Sequence, residues 1–452
     1  MKWFAPHALL PGGWAERAVI EVDDAGTIVS VTANARGDDA ETLRGPVVPA
    51  MPNAHSHAFQ RAIAGRTGRP SQDRDDSFWS WRSAMYAFLD HLDPDGFEAI
   101  AAQAYVEMLK SGYASVAEFH YVHHDPHGRP YADRAELAMR IASAAQRAGI
   151  GLTLLPVFYA HAGFGGRPPT EGQRRFVHDV AGFATLVERL MSESEHRYVL
   201  GIAPHSLRAV APVELAAIVR LVPADAPVHI HAAEQTREVD ECVEATGRRP
   251  VEWLLAHAEV NARWCIVHAT HMTERESDAL AASGAVAGLA PTTEADLGDG
   301  IFAAPRYLAA GGAMAVGSDS NTVISPFEEL RVLEWSQRLA ARRRNVLADA
   351  SGLAVGASLW QRAARGGAQA IAQPVGAIEA GRRADLVVLD ADDPALAEQR
   401  AGDALDAAIF GPARNPVRDV IAGGRFVVRD GRHLYEDMVF ERYRRTLARL
   451  AS

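Results

Sequence analysis

Eight apolar, β-branched runs recur through the middle of this 452-residue chain, separated by longer stretches rich in Ala, Glu and Arg. They are VVPAMPNAHSH (47–57), YASVAEFHYV (113–122), GLTLLPVFYA (151–160), YVLGIAPHSL (198–207), PVHIHAAE (227–234), WCIVHATH (264–271), AVAGLAPTTE (285–294) and AMAVGSDS (313–320). Between them lie helix-like segments such as PDGFEAIAAQAYVEMLKSG (94–112) and RAELAMRIASAAQRAG (134–149). Strand and helix patterns in alternation argue for an α/β chain with a parallel sheet. Eight such units argue for closure into a (β/α)₈ barrel of the TIM type.

The two ends of the chain read differently. AVIEVDDAGTIVSVT near the start places β-branched residues around Asp-Ala-Gly, a hairpin signal. ADLVVLDADD and PVRDVIAGGRFVVRDG, within 383–432, have the same character. The expected organisation is therefore a small β-sandwich domain built from residues 1–46 and 373–432, around a barrel spanning 47–372. A C-terminal helix over 433–452 completes it.

Charge narrows the function classes. A formal net charge of −11 argues against nucleic acid and anionic membrane surfaces as partners. No apolar run approaches the ~18 residues that span a bilayer, and MKWFAPHALLPGGW lacks the pattern of a secretory signal. Two cysteines, Cys242 and Cys265, give no disulfide framework, as expected of a cytoplasmic protein.

In a barrel enzyme the chemistry sits at the C-terminal ends of the strands. Here those ends carry His55 and His57 (first), His231 and Glu234 (fifth), His268 and His271 (sixth) and Asp319 (eighth). Residues two apart on a strand point the same way, so His55 and His57 can converge. A lone H-x-H is equally two polar loop residues, and a lone His231 or His268 equally a hydrogen-bonded core histidine. The argument rests on all of them falling at one end of one barrel. Three imidazoles and a carboxylate, His55, His57, His231 and Asp319, suit Zn²⁺ or another divalent transition metal. Asp319 can also take a proton from a water bound there.

PNAHSH, HIHAAE, IVHATH and AVGSDSN, with AIEAGRRADLVVLD near the C-terminus, resemble the motifs of the amidohydrolase superfamily, in the same order and over nearly the whole chain. Binuclear members often carry a carboxylated lysine or a glutamate at the fourth strand. That strand ends in PHSLR, and the only lysines are Lys2 and Lys110, so one metal ion is expected. The H-x-x-E spacing of His231 and Glu234 resembles the deaminase branch. The resemblance implies that Glu234 shuttles a proton between water and the leaving nitrogen, and that His268 stays off the metal and orients the water.

Four further stretches bear on the substrate: FQR (59–61), SFWSWR (77–82), EFHYVHH (118–124) and APHSLR (203–208). Guanidinium groups clasp carboxylates through paired hydrogen bonds, so Arg82 and Arg208 together suit a small dicarboxylate. The bland alternative for Arg82 is a surface arginine, and His123, His124 and His127 read as a cluster either solvated or packed behind the site rather than as a second metal site. GFGGRPPTEGQ (163–173) reads as a candidate lid. The combination of PNAHSHAFQRA, DSFWSWR, EFHYVHH, APHSLR and HAAEQTREV resembles the formimidoylglutamate deiminase family. That resemblance implies hydrolysis of a linear amidine, a homodimer, and Gln60, Arg82, Tyr121, His205 and Arg208 around the glutamate moiety. The competing expectations are a purine, pterin or S-adenosylhomocysteine deaminase on the same site, and a catalytically silent scaffold.

Overall fold

The computed structural model describes residues 1–66, 78–195, 197–412 and 414–451. It is a mixed α/β chain: two parallel sheets come from the middle of the sequence, and the ends build a mostly antiparallel sheet. Among the described residues, no helix is long and apolar enough to cross a membrane.

Nine strand segments follow one another along the central region: β1 (Met51–Ser56), β2 (Tyr113–His120), β3 (Gly151–Phe158), a short strand Val199–Leu200 paired with β3, β4 (Ala203–Pro204), β5 (Val228–Ala232), β6 (Trp264–His268), β7 (Val286–Leu289) and β8 (Ala313–Val316). They form two parallel sheets, β4-β3-β2-β1 and β5-β6-β7-β8. Isolated parallel bridges join the sheets at both edges: Ser56 to Asp319 on one side, Ile202 to Val228 and Ser206 to His231 on the other. Nearly every residue of these strands is buried, as parallel strands covered on both faces require.

The helix Pro94–Ser111 shows how local chemistry delivers a strand to its place. Asp93 caps it, accepting from Gly96 N–H at 2.7 Å, and Pro94 opens the first turn. Gly112, at φ 101°, ends it in the left-handed conformation that glycine tolerates. Tyr113 then starts β2 directly. Near the other end of the chain the helix Val355–Ala370 packs against β8, with Gly366 over Met314.

Both termini build one nine-stranded sheet. Its path runs Arg432–His433, Arg425–Arg429, Val417–Ala422, Leu386–Leu389, Val47–Pro49, Lys2–Leu10, Gly13–Val22 and Ile28–Thr32, and Glu41–Thr42 pairs with Lys2–Leu10. The first apolar run of the sequence is thus split. Val47–Pro49 pairs antiparallel with Leu386–Leu389, and only after Ala50 does the chain enter the parallel sheet.

Gly317 fixes the seam between β1 and β8. A Cβ there would lie 2.6 Å from His55 N and 2.7 Å from His55 O. Gly317→Ala should therefore push the two strand ends apart at a cost of about 1–3 kcal/mol. Thermal unfolding and metal content should fall together; an unchanged melting temperature would show that the seam is loose.

Candidate active site

The seam brings the first and last predicted ligands together through main-chain bonds. Asp319 N–H donates to His55 O, and His57 N–H donates to Asp319 O, both at 3.0 Å. Asp319 adopts φ 43° to do this, and His268 φ 67° at the end of β6. Left-handed backbone at non-glycine residues costs of order 1–3 kcal/mol each and persists only where surroundings dictate it. At both positions it turns a side chain into the space above the strand ends.

Three imidazole nitrogens converge there. His55 Nε2 lies 3.2 Å from His57 Nε2 and 3.1 Å from His231 Nε2. His57 Nδ1–H donates to Phe119 O and His231 Nδ1–H to His205 O, each at 3.0 Å. Those bonds fix the tautomers, so the Nε2 atoms of His57 and His231 present lone pairs. Burial, reinforced by the neighbouring imidazoles, holds His55 and His231 well below the usual histidine range, and burial brings His57 down to about 3. Neutral imidazoles whose lone pairs face one another repel unless a cation sits among them. Asp319 Oδ1 stands 3.4 Å from His57 Nε2 and 3.6 Å from His55 Nε2, completing a set of three nitrogens and a carboxylate. Among the described residues, His55, His57 and His231 form the one group of three close enough to hold a metal ion. The donor set fits a divalent cation.

His268 is different in character. Burial alone would lower its pKa, but the carboxylates of Glu234, Asp319 and Glu294 push it up to about 10. Its Nε2 is 3.8 Å from Glu234 Oε1 and 3.7 Å from Asp319 Oδ2, and its Nδ1 is 3.3 Å from Glu294 Oε1. It is a charged donor held between carboxylates. Burial raises Asp319 to about 7 despite the His268 charge, a desolvation that a cation beside the carboxylate would offset.

One cavity gathers the rest. It holds about 700 Å³ of space between atoms, open solvent at its mouth included. His57, Gln60, Arg82, Tyr121, His205, Arg208, His231, Glu234, His268 and Asp319 all line it, and His55 lies behind His57. Gln60 donates to Tyr121 OH at 2.9 Å, and its Oε1 is buried without a hydrogen-bond partner. Arg208 is buried, with one Nη 3.8 Å from Glu234 and the other without a hydrogen-bond partner. Arg82, on the helix Phe78–Leu89, lays its guanidinium 4.4 Å from the Trp79 ring, which Arg208 also approaches at 5.7 Å. Asp76 and Ser77, which begin the DSFWSWR stretch, lie outside the described residues.

Other expectations are placed elsewhere. His123 and His124 are buried, not solvated; their Nε2–H groups donate to Val157 O and Val177 O, and they pack against His178. His127, farther along the turn, does not line the cavity. Nor does any residue of the 163–173 loop: Gly163–Gly166 line a neighbouring cavity, while Gln173 reaches the site at second hand by donating to Tyr159 OH at 2.6 Å. Sequence reasoning overlooked Tyr159 and Tyr86, which line the cavity, and Glu294, which holds His268. Tyr159 and Glu294 end the third and seventh runs, where the strand-end rule would have found them; nothing in the sequence singles out Tyr86.

Residues 47–427 match the Amidohydrolase family. The chain is 51% identical over 435 residues to formimidoylglutamate deiminase from Pseudomonas aeruginosa, covering 96% of each. It is 27% identical over 421 residues to 5-methylthioadenosine/S-adenosylhomocysteine deaminase from Natronomonas pharaonis, covering 91% of this chain and 88% of that one. A crystal structure of an amidohydrolase from Brucella melitensis aligns over 100% of both chains with a TM-score of 0.93 and 47% identity. With its motifs in order, its donor set assembled and relatives matching over nearly its full length, the chain belongs to the amidohydrolase family.

Proposed function

We propose that this chain hydrolyses N-formimidoyl-L-glutamate to N-formyl-L-glutamate and ammonia, as a cytoplasmic, zinc-dependent step of histidine degradation. The observation that carries the reading is the buried, unpartnered Nη of Arg208 lining the same cavity as the His–Asp cluster, with Arg82 beside it. A buried donor without an acceptor is costly, and a substrate carboxylate is the acceptor a guanidinium fits best. The 51% identity to a formimidoylglutamate deiminase supports the same substrate.

His55, His57, His231 and Asp319 would hold one divalent cation, and its ligand set favours Zn²⁺. Bound there, the cation supplies Lewis acidity, bringing a water's pKa toward neutrality. The residues then divide the work. Glu234 takes one proton from the attacking water as the carbon–oxygen bond forms and passes it to the imino nitrogen; the second water proton follows by the same carboxylate as the carbonyl forms, so the carbon–nitrogen bond breaks and the nitrogen departs as ammonia. His268, protonated between its carboxylates, donates a hydrogen bond toward the developing oxygen charge. Gln60, Tyr121, His205, Arg82 and Arg208 orient the glutamate moiety.

The same reading covers the architecture. Bridges at both edges of the two parallel sheets support their closure into an eight-stranded barrel that begins at Met51 and runs to about residue 372. A separate apolar core, including Trp3, Ile20, Val47, Leu386 and Ile421, supports a small β-sandwich domain made from both termini, with Val47–Pro49 as part of its sheet. Two buried free cysteines, Cys242 and Cys265, agree with a reducing compartment. We place the C-terminal helix Glu436–Ala451 on the barrel's flank and take the assembly to be a homodimer, which light scattering tests directly.

An ammonia-release assay across formimidoylglutamate, guanine, adenosine and S-adenosylhomocysteine tests the substrate. Release from formimidoylglutamate should dominate. Faster release from S-adenosylhomocysteine would transfer the reading to the second relative's activity.

A further inference from the structure

Tyr159 follows directly on β3, is buried and lines the cavity, yet no role above uses it. Its hydroxyl oxygen accepts a hydrogen bond from Gln173 Nε2 at 2.6 Å. The direction of that bond is set at Thr170. Gln173 Oε1 accepts from Thr170 N–H at 2.8 Å and from the Thr170 hydroxyl at 3.0 Å, at the start of the short turn Glu171–Gln173. A backbone N–H only donates, so the amide oxygen faces Thr170 and the amide NH₂ faces Tyr159. The tyrosine oxygen is therefore an acceptor toward Gln173, and its one hydrogen is left to donate elsewhere. Burial holds the hydroxyl above the ordinary tyrosine range, so it keeps that hydrogen at neutral pH. Its neighbour is a second hydroxyl lining the cavity, Tyr86. Two hydroxyls share at most one of their hydrogens between them, and the other is left for a third partner.

The Tyr159 ring stands edge-on to His205, 4.7 Å between centroids, and His205 packs against His231 at 5.0 Å. Tyr159 is thus one ring removed from the metal donors, in the cavity that Arg82 and Arg208 also line. A substrate with its formimidoyl carbon at the donors extends its carboxylates away from them.

We propose that Tyr159 is a specificity-determining residue: its hydroxyl, made a donor by Gln173, hydrogen-bonds a carboxylate of the substrate. The inference rests on formimidoylglutamate being that substrate. A hydroxyl held as a donor adds a fixed direction to the charge of the two guanidinium groups. Gln173 is the positioning residue, and through it the 163–173 loop supports the pocket instead of covering it.

The test compares the metal-loaded wild type with Tyr159→Phe, Gln173→Glu and the double variant. Tyr159→Phe keeps the ring and its packing on His205. It should raise the KM for formimidoylglutamate about tenfold, the loss of one hydrogen bond to a charged acceptor, and leave kcat within about twofold. For formamidine, which has no carboxylate, kcat/KM should stay within about twofold of the wild type. Gln173→Glu keeps an acceptor for Thr170, but its other oxygen also accepts, so the tyrosine hydrogen turns to it and away from the cavity. The KM should again rise about tenfold, but less than about twofold where Tyr159→Phe has already removed the hydroxyl. An equal rise in both backgrounds means that the added charge merely repels the substrate, and overturns the proposal. A wild-type KM in Tyr159→Phe, or an equal loss for formamidine, overturns it too. So does a selective loss in Tyr86→Phe but not in Tyr159→Phe, which would make Tyr86 the donor. If Gln173→Glu did not fold, Tyr159→Phe and the two substrates would decide alone. Should the wild type release no ammonia from formimidoylglutamate, the functional reading falls by itself. Calorimetric titration with N-formyl-L-glutamate then decides the hydroxyl's role. Weaker binding by Tyr159→Phe than by the wild type supports it; equal affinity, or no binding by the wild type, overturns it.

Discussion

Glu234→Gln should leave the cation bound and remove turnover. The carboxylate is not among the residues grouped around His55, His57 and His231; it faces His268 from 3.8 Å and lines the cavity beside the cluster. An amide of the same size keeps the packing and the hydrogen-bonding oxygen, but it can neither accept a proton from water nor return one to nitrogen. Positioned acid–base groups contribute about 100- to 10,000-fold, so kcat should fall by that factor. Metal content should stay at one equivalent, and the KM should stay near that of the wild type. Two results would count against the role. Normal turnover means that another group moves the proton. Lost turnover with lost metal means that Glu234 supports the ligands and not the chemistry.

How much of this was readable beforehand depends on which physical rule placed each residue. The strand-end rule placed His55, His57, His231, His268 and Asp319 at one end of the parallel strands, because the direction of a strand dictates where its C-terminus lies. It says nothing of partners. Val47–Pro49 and Met51–Ser56 read as one apolar run, yet Ala50 divides two sheets, a fact set by which strands lie alongside. The fourth run breaks for a similar reason. Gly201 separates Val199–Leu200 from Ala203–Pro204, and a Cβ there would meet Leu155 and Pro227 O at 2.6 Å. Arg82 sits on a helix that follows residues outside the described set, so only its charge hinted at the pocket. Glu238 was the hardest to see. Four residues beyond Glu234 on the helix that starts at Thr236, it is buried and accepts from the Ala233 and Glu234 N–H groups, a placement nothing in the sequence announces. Local patterns thus announced the donors of the metal site, whereas the groups that orient those donors emerged only from long-range packing.

Arg208→Met should distinguish a dicarboxylate-binding pocket from a nucleobase pocket. The guanidinium is buried, stands 5.7 Å from the Trp79 ring and has an Nη without a hydrogen-bond partner. If that donor clasps a substrate carboxylate, its removal leaves the bound anion unpaired in the interior. Truncating one partner of such a pair costs about 2–5 kcal/mol, so kcat/KM for formimidoylglutamate should fall on the order of 100-fold or more. Part of any loss will come from Glu234, which loses its countercharge. Formamidine, an amidine without carboxylates, separates the two contributions. Damage to the acid–base group lowers turnover of both compounds equally, whereas a lost clasp lowers only the carboxylated one. The expected result is therefore a selective loss: a large drop for formimidoylglutamate and a much smaller one for formamidine. Equal losses would move Arg208 out of the substrate pocket and into support of Glu234, and would leave Arg82 as the pocket's remaining candidate for the carboxylate.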